Sequence, residues 1–197
     1  MDKEITGKND AEFICGIQNG DQELFAKLFH THYSDLCTFA LRYTNEFAVS
    51  EDIIQGLFLN IWFNRETWSP VAGVKSYLYK AARNKALDYI RHSKVKSDWA
   101  KESRYLGNPF AESPVDIIQD QEFSSEVAGA IDNAIKALPE HRKIIFLLSR
   151  ENGLTYQEIS DTLDISVKTV ETQMGRSIKI LREQLAKYLP ALLLFPL

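Results

Sequence analysis

The stretch that decides the fold is LTYQEISDTLDISVKTVETQMGRSIKIL, residues 154–181, in which a short turn separates two helical patterns. Thr155 and Glu158 have the S/T-x-x-E spacing of a capping box, which predicts a helix that begins here and lasts for about two turns. Residues 164–166 then turn the chain, and Ser166 can cap a second helix. This spacing predicts a helix-turn-helix.

The second of these helices has one apolar and one polar face. Its apolar residues recur at steps of three and four, and they are Val167, Val170, Met174, Ile178 and Leu181. The other face has side chains that can contact phosphates or base edges, with a glycine small enough for close approach: Lys168, Thr169, Glu171, Thr172, Gly175, Arg176 and Lys179. The pattern alone also allows an ordinary helical hairpin whose polar face only meets water.

Apolar spacing of three and four recurs along the whole chain, without a convincing run of alternating β-branched residues, so the fold is predicted to be all-α. Asp21 is predicted to cap one helix and Ser50 the next, SEDIIQGLFLNIWFNR. A third long pattern, VKSYLYKAARNKALDYIRHSKVK, follows the loop ETWSPVAG. After a break, four further helices form a second group, in which Pro139 separates two helices and Gly153 ends one.

The periodicity fades where glycine, proline and acidic residues accumulate, which is typical of a linker. We therefore predict two small helical domains, at 1–97 and 125–188, joined by a flexible acidic linker at 98–124. The apolar tail 189–197 is too short to span a bilayer. It can pack on the second domain or serve as an adhesive segment for a protein partner.

Charge is distributed in blocks, although the chain as a whole has a net charge of -4. Residues 75–105 have nine basic and three acidic side chains, whereas residues 1–74 have five and eleven. Aromatic residues are interleaved with the cations of this basic block, and Trp68 lies just before it. Such a mixture predicts binding to a partly single-stranded nucleic acid, because cations meet phosphates and flat side chains stack on exposed bases. Tyr77 and Tyr79 can instead be core residues.

Other kinds of site have no support in the sequence. Cys15 and Cys37 lie in apolar helical patterns without a matching histidine, which predicts buried free thiols and no metal site. We find no phosphate loop, HExxH motif, nucleophile elbow or paired carboxylates, so we expect neither an enzyme nor a cofactor. The first residues are polar and acidic, which indicates a cytoplasmic protein without a signal peptide.

Several motifs in a fixed order then point to a family. The order is EDIIQGLFLNIW, a loop, KSYLYKAARNKALDYIR, an acidic linker, ALPEHRKIIFLL and LTYQEISDTLDISVKTVETQMGRSIKILREQL. In this order the chain resembles an extracytoplasmic-function (ECF) sigma factor of the sigma-70 family, and its last helix and tail resemble members from Bacteroidetes. The resemblance implies a subunit that binds core RNA polymerase, directs it to promoters through two DNA elements and assists melting.

The resemblance also implies three surfaces. The polymerase-binding positions are Asp52, Gln55 and Phe58. The positions that contact the downstream promoter element and assist its melting are Trp68, Lys75, Ser76, Tyr79, Lys80, Arg83, Asn84 and Arg91. Of these, Trp68 and Asn84 bracket a flipped base. The recognition helix that reads the upstream element corresponds to Lys168, Thr169, Glu171, Thr172 and Arg176. Gly56 is a departure, because the family usually has an acid there, and one salt bridge to the polymerase is thereby in doubt.

The implied partners are core RNA polymerase, promoter DNA as duplex and melted strand, and an anti-sigma factor, often membrane-bound. No small-molecule substrate is implied. The main alternative is a helix-turn-helix regulator of the two-component output type, which needs a parallel α/β receiver in the N-terminal half. An α-helical enzyme lacks a catalytic constellation, and a protein-only adaptor leaves Trp68 and the basic block unexplained.

Overall fold

The structure is a computed structural model, and it describes residues 8–100, 122–186 and 188. No strand occurs among the described residues, which confirms the all-α prediction and does not fit a parallel α/β receiver. The segment 101–121 and the tail 189–197 lie outside the described residues. The helices are α1 (Lys8–Gln18), α2 (Gln22–Thr44), α3 (Phe47–Phe63), α4 (Val74–Ala100), α5 (Glu122–Lys136), α6 (Glu140–Arg150), α7 (Tyr156–Leu163) and α8 (Val167–Gln184).

The chain divides into two compact units, one containing α1–α4 and the other α5, α6, α8 and most of α7. In the first unit α2 packs against both α3 and α4, and α1 packs against α2. The predicted apolar stripes supply much of this core: Leu28, Leu36, Phe39, Ala40, Ile54, Leu57, Ile61, Leu78 and Ala82 are all buried. Asp21 caps α2 as predicted, since its carboxylate accepts hydrogen bonds from the backbone of Glu23 and Leu24.

The start of α3 differs from the prediction, because the helix begins at Phe47 and not after Ser50. Ser50 lies inside the helix and is fully buried. Its hydroxyl is 2.7 Å from that of Thr44 and donates to the Glu46 carbonyl at 2.9 Å. The serine hydroxyl therefore has hydrogen-bond partners where α2 and α3 meet, in a buried position where an unpaired hydroxyl would cost about 1–3 kcal/mol.

The second unit confirms the local predictions for its helices. Thr155 and Glu158 form the capping box of α7, and Asp164 ends that helix with a left-handed φ of 54°. Ser166 caps α8 by accepting a hydrogen bond from the Thr169 backbone at 3.0 Å. Because α8 packs against α5 and α6, its apolar face is held in the core and its polar face is turned outward.

Two further expectations need correction. Helix α4 continues to Ala100 and α5 begins at Glu122, so both ends of the predicted linker 98–124 are helical. Both cysteines are free, as predicted, but Cys15 is exposed and only Cys37 is buried. Burial raises the pKa of the Cys37 thiol. Among the described residues no helix is long and apolar enough to cross a membrane.

Candidate nucleic-acid and protein interfaces

One face of α3 is turned outward and combines polar and apolar side chains. Residues at steps of three and four share a side of a helix, and here they are Asp52, Gln55, Leu59 and Phe63. All four are exposed, with Leu59 at 56% and Phe63 at 76%. The Gln55 amide donates to the Tyr33 hydroxyl at 3.2 Å, which links this outer α3 face to α2.

Phe58 does not belong to the outer α3 face. It is 2% exposed, and its ring contacts those of Phe25 and Phe29 at centroid distances of 6.3 and 4.9 Å. The prediction that Phe58 binds a partner directly is therefore revised to a role in the core. Leu59 and Phe63 were not predicted as site residues, although a signal was present. They are apolar residues of SEDIIQGLFLNIWFNR that do not share the helical spacing of Ile54, Leu57 and Ile61, which are buried.

Trp68 lies at the end of a 3₁₀ turn, Arg65–Thr67, and is only 5% exposed. Its backbone carbonyl accepts a hydrogen bond from the Gln18 amide at 2.9 Å, and its ring meets that of Tyr77 edge-on at 6.0 Å. The family resemblance implies that Trp68 contacts a flipped base. The indole is instead buried against Tyr77 at the start of α4, and the Trp68 backbone is tied to the first helix.

A pocket of about 240 Å³ lies beside Trp68, where α3 ends and α4 begins. Its lining, which we call the α3–α4 pocket, consists of Asn60, Ile61, Asn64, Thr67, Trp68, Ser69 and Tyr77. The Asn64 amide donates to both the backbone and the side-chain oxygen of Asn60 at 2.9 Å, so the two amides are held as a pair. Aromatic walls and fixed amides can hold a planar polar group such as a base.

Asn84 is exposed but does not line the α3–α4 pocket, in contrast to the expectation that it brackets a base with Trp68. It lies seven residues beyond Tyr77, or about 10 Å along the helix. Tyr77, Lys80, Asn84 and Arg91 follow one another at helical spacing on one side of α4. They form a stripe, called here the α4 stripe, that begins at the pocket wall and leads away from it.

Other predicted residues of α4 do not share that stripe. Ser76 is 1% exposed and Tyr79 is fully buried, with its ring 5.1 Å from that of Phe39. Direct contact of these two side chains with DNA is therefore withdrawn. Lys75 is half-buried on the side of His32, whose pKa is lowered by burial and further by the Lys75 charge. Arg83 is half-buried at the flank of the α4 stripe.

The predicted recognition positions lie together on the outward face of α8. Lys168, Glu171, Thr172 and Arg176 are exposed, and Thr169 is half-buried. The Lys168 ammonium is 3.2 Å from the Glu171 carboxylate, so these two charges compensate each other in the absence of DNA. An added Cβ at Gly175 would meet no atom within 4 Å, which leaves this part of the face open for close approach.

Comparisons with known proteins agree with this two-unit arrangement. The model of sigma-70 region 2 matches residues 28–95, and that of sigma-70 region 4 matches residues 128–181. The first range covers most of α2–α4, and the second runs from α5 to the later turns of α8. The chain therefore contains both matched regions in the order expected from the motifs.

Curated relatives span the chain at moderate identity. The ECF RNA polymerase sigma factor SigW of Bacillus subtilis is 26% identical over 178 residues, covering 87% of this chain and 94% of that protein. The ferric citrate uptake sigma factor FecI of Escherichia coli is 25% identical over 155 residues, covering 79% and 87%. The similarity to members from Bacteroidetes stays a prediction.

Solved structures share the fold. CnrH in complex with the cytosolic domain of CnrY has a TM-score of 0.56 at 18% identity, covering 90% of this chain and 97% of that one. The sigma factor RpoE with the anti-sigma factor NepR from Bartonella quintana has a TM-score of 0.57 at 14% identity, covering 82% and 96%. With regions 2 and 4 both matched, the chain belongs to the sigma-70 family and is a sigma factor.

Proposed function

We propose that residues 1–97 bind core RNA polymerase and open the downstream promoter element, and that residues 125–188 read the upstream element. Residues 98–124 connect these two readers. Each unit is too small to read more than a few base pairs. Selection of one promoter therefore depends on both units binding the same DNA while polymerase holds them at a fixed separation.

The outer α3 face is the proposed polymerase-binding surface. Asp52 and Gln55 supply the polar contacts, while Leu59 and Phe63 supply apolar area that is exposed in the isolated chain. Apolar groups flanked by polar ones are the usual composition of a specific protein interface. Gly56 lies on the same side without a side chain, so an ion pair is missing there and the apolar contacts have greater weight.

The α3–α4 pocket is the proposed receptor for one unstacked base of the downstream element, and the α4 stripe is the path of the melted strand. Removing a base from the duplex costs a few kcal/mol. Stacking on an aromatic side chain returns about 1–3 kcal/mol per base, which is of the same size. The observation that carries this assignment is the position of the pocket. Its Tyr77 wall is the first residue of the stripe that continues through Lys80, Asn84 and Arg91.

The outward face of α8 is the proposed reader of the upstream element in the major groove. Glu171 can accept a hydrogen bond from a cytosine amino group, and Lys168 or Arg176 can donate to guanine or phosphate. Each good contact to a base discriminates by about 1–3 kcal/mol. Because Lys168 and Glu171 are paired with each other, reading a base requires that pair to separate or to share its hydrogen bonds with the DNA.

An anti-sigma factor is a further proposed partner. RpoE is described in complex with the anti-sigma factor NepR, and CnrH in complex with the cytosolic domain of CnrY. The exposed outer α3 face is a surface that an inhibitor can cover. Binding there competes directly with polymerase. We expect the chain to act in the cytoplasm, where its DNA and polymerase are found, as an initiation factor that carries out no covalent chemistry.

The test is in vitro transcription from genomic fragments with core polymerase and the purified chain. Leu59→Asp and Phe47→Asp are a matched pair, because the two side chains are 56% and 57% exposed and lie twelve residues, or about 18 Å, apart along α3. We expect Leu59→Asp to lose copurification with polymerase and specific start sites, while Phe47→Asp keeps both. A wild-type chain that neither copurifies with core polymerase nor directs start sites would contradict the proposal.

A further inference from the structure

A side chain outside the predicted reader is attached to α8. Arg142, in the first turn of α6, donates through Nε to the side-chain oxygen of Gln173 at 3.0 Å. Both side chains are half-buried. On the helix surface Gln173 is the neighbour of Thr169 and Arg176, four residues before it and three after it. The bond therefore brings the Arg142 guanidinium to the edge of the reading face.

Three other cations near α8 have an acidic partner. Lys168 is paired with Glu171 and Lys179 lies 4.0 Å from Glu183. On α6, Lys143 lies 3.4 Å from Glu140. For Arg142, no carboxylate lies within the 4.0 Å limit for an ion pair among the residues whose side chains the structure describes. Within the part of the chain whose side chains the structure describes, its charge is thus left for another anion.

The geometry of the guanidinium favours a phosphate as that anion. Arginine has five N–H donors in a rigid plane, and the contact with Gln173 uses only Nε. The two terminal nitrogens have no acceptor among the described residues, and together they match the spacing of two phosphate oxygens. Gln173 fixes the plane in advance, which reduces the side-chain entropy lost when a phosphate binds.

We propose that Arg142 is a further DNA-binding residue, which contacts a backbone phosphate beside the upstream element, and that Gln173 is its positioning residue. This inference rests on the proposed role of α8 as a DNA reader. It adds a cation beside Arg176. Since phosphate contacts set register and affinity but carry no base information, Arg142 strengthens binding to all sequences alike.

The test measures the affinity of the full-length chain for a labelled duplex that the wild-type chain selects from a random pool. Fluorescence anisotropy is followed from about 50 to about 200 mM salt. Removing one phosphate contact lowers the slope of log affinity against log salt by about 0.9. We expect this change for Arg142→Ala, with equal weakening on the selected and a scrambled duplex. Arg142→Lys keeps the slope, and Gln173→Ala keeps it with a higher Kd.

Arg182→Ala is the matched control, because it removes one exposed arginine six residues beyond Arg176, or about 9 Å along α8. It is expected to leave the slope unchanged. If Arg142→Ala keeps the wild-type slope, or if Arg142→Lys loses as much affinity as Arg142→Ala, then Arg142 only braces α6 against α8 and the inference is overturned. A folded wild-type chain that selects no duplex would overturn the DNA-reading role of α8 itself, and this inference with it.

Discussion

Replacement of Trp68 gives a prediction that combines stability and function, because this residue is 5% exposed and also lines the α3–α4 pocket. Trp68→Ala removes a buried indole and leaves a cavity, which costs about 3–5 kcal/mol in the free energy of unfolding. A small domain is stable by only about 5–15 kcal/mol. The alanine variant therefore loses a large part of the stability of the first unit.

Trp68→Phe is the matched variant. Phenylalanine keeps an aromatic ring opposite Tyr77, and the indole nitrogen that it removes is buried without a hydrogen-bond partner among the described residues. No hydrogen bond to those residues is lost, so we expect a cost of about 1 kcal/mol from the smaller volume. The aromatic wall for a base also remains.

The assays are urea unfolding followed by circular dichroism, and permanganate reactivity of promoter thymines with core polymerase. We expect Trp68→Phe to retain most of the promoter opening. At a temperature where circular dichroism shows it to be folded, Trp68→Ala should bind polymerase but fail to open the promoter. An alanine variant as stable as the wild type would refute the burial argument. One that is folded and opens promoters normally would refute the role of the pocket.

The other predictions concern a histidine, two glycines and an ion pair. Burial lowers the pKa of His32, so as the pH falls below about 6.5 the histidine is protonated in the unfolded chain before it is protonated in the folded one. The free energy of unfolding should therefore decrease as the pH falls below about 6.5. Urea melts of His32→Gln should show a smaller decrease. Gly56→Ala and Gly175→Ala should each raise the unfolding free energy by up to about 1 kcal/mol, since an added Cβ meets no atom within 4 Å at either position. Only Gly175→Ala should weaken duplex binding measured by anisotropy, and equal effects of both on DNA would contradict the close approach at α8. Glu171→Gln releases the Lys168 charge, so binding to a scrambled duplex should tighten while the preference for the selected duplex falls. Unchanged binding to both duplexes would argue against this ion pair as part of the reader.

Features that depend on neighbours in sequence were predictable. The capping box at Thr155 and the caps at Asp21 and Ser166 follow from hydrogen bonds between groups two or three residues apart. The two faces of α8 follow from helical periodicity, and the two-domain organisation follows from its interruption. The sequence by itself thus determined the all-α class, the helix-turn-helix and the family resemblance.

Burial along the first unit was decided by tertiary structure. Trp68 is held by Gln18, fifty residues earlier in the chain, and Tyr79 packs on Phe39. An aromatic residue in a loop or a basic helix has the same local sequence whether a distant helix covers it or not. The packing of α1 and α2 therefore decided that Trp68 is a wall of the pocket, that Tyr79 lies in the core and that Leu59 is exposed. Burial depends on contacts between distant parts of the chain, which local periodicity does not contain.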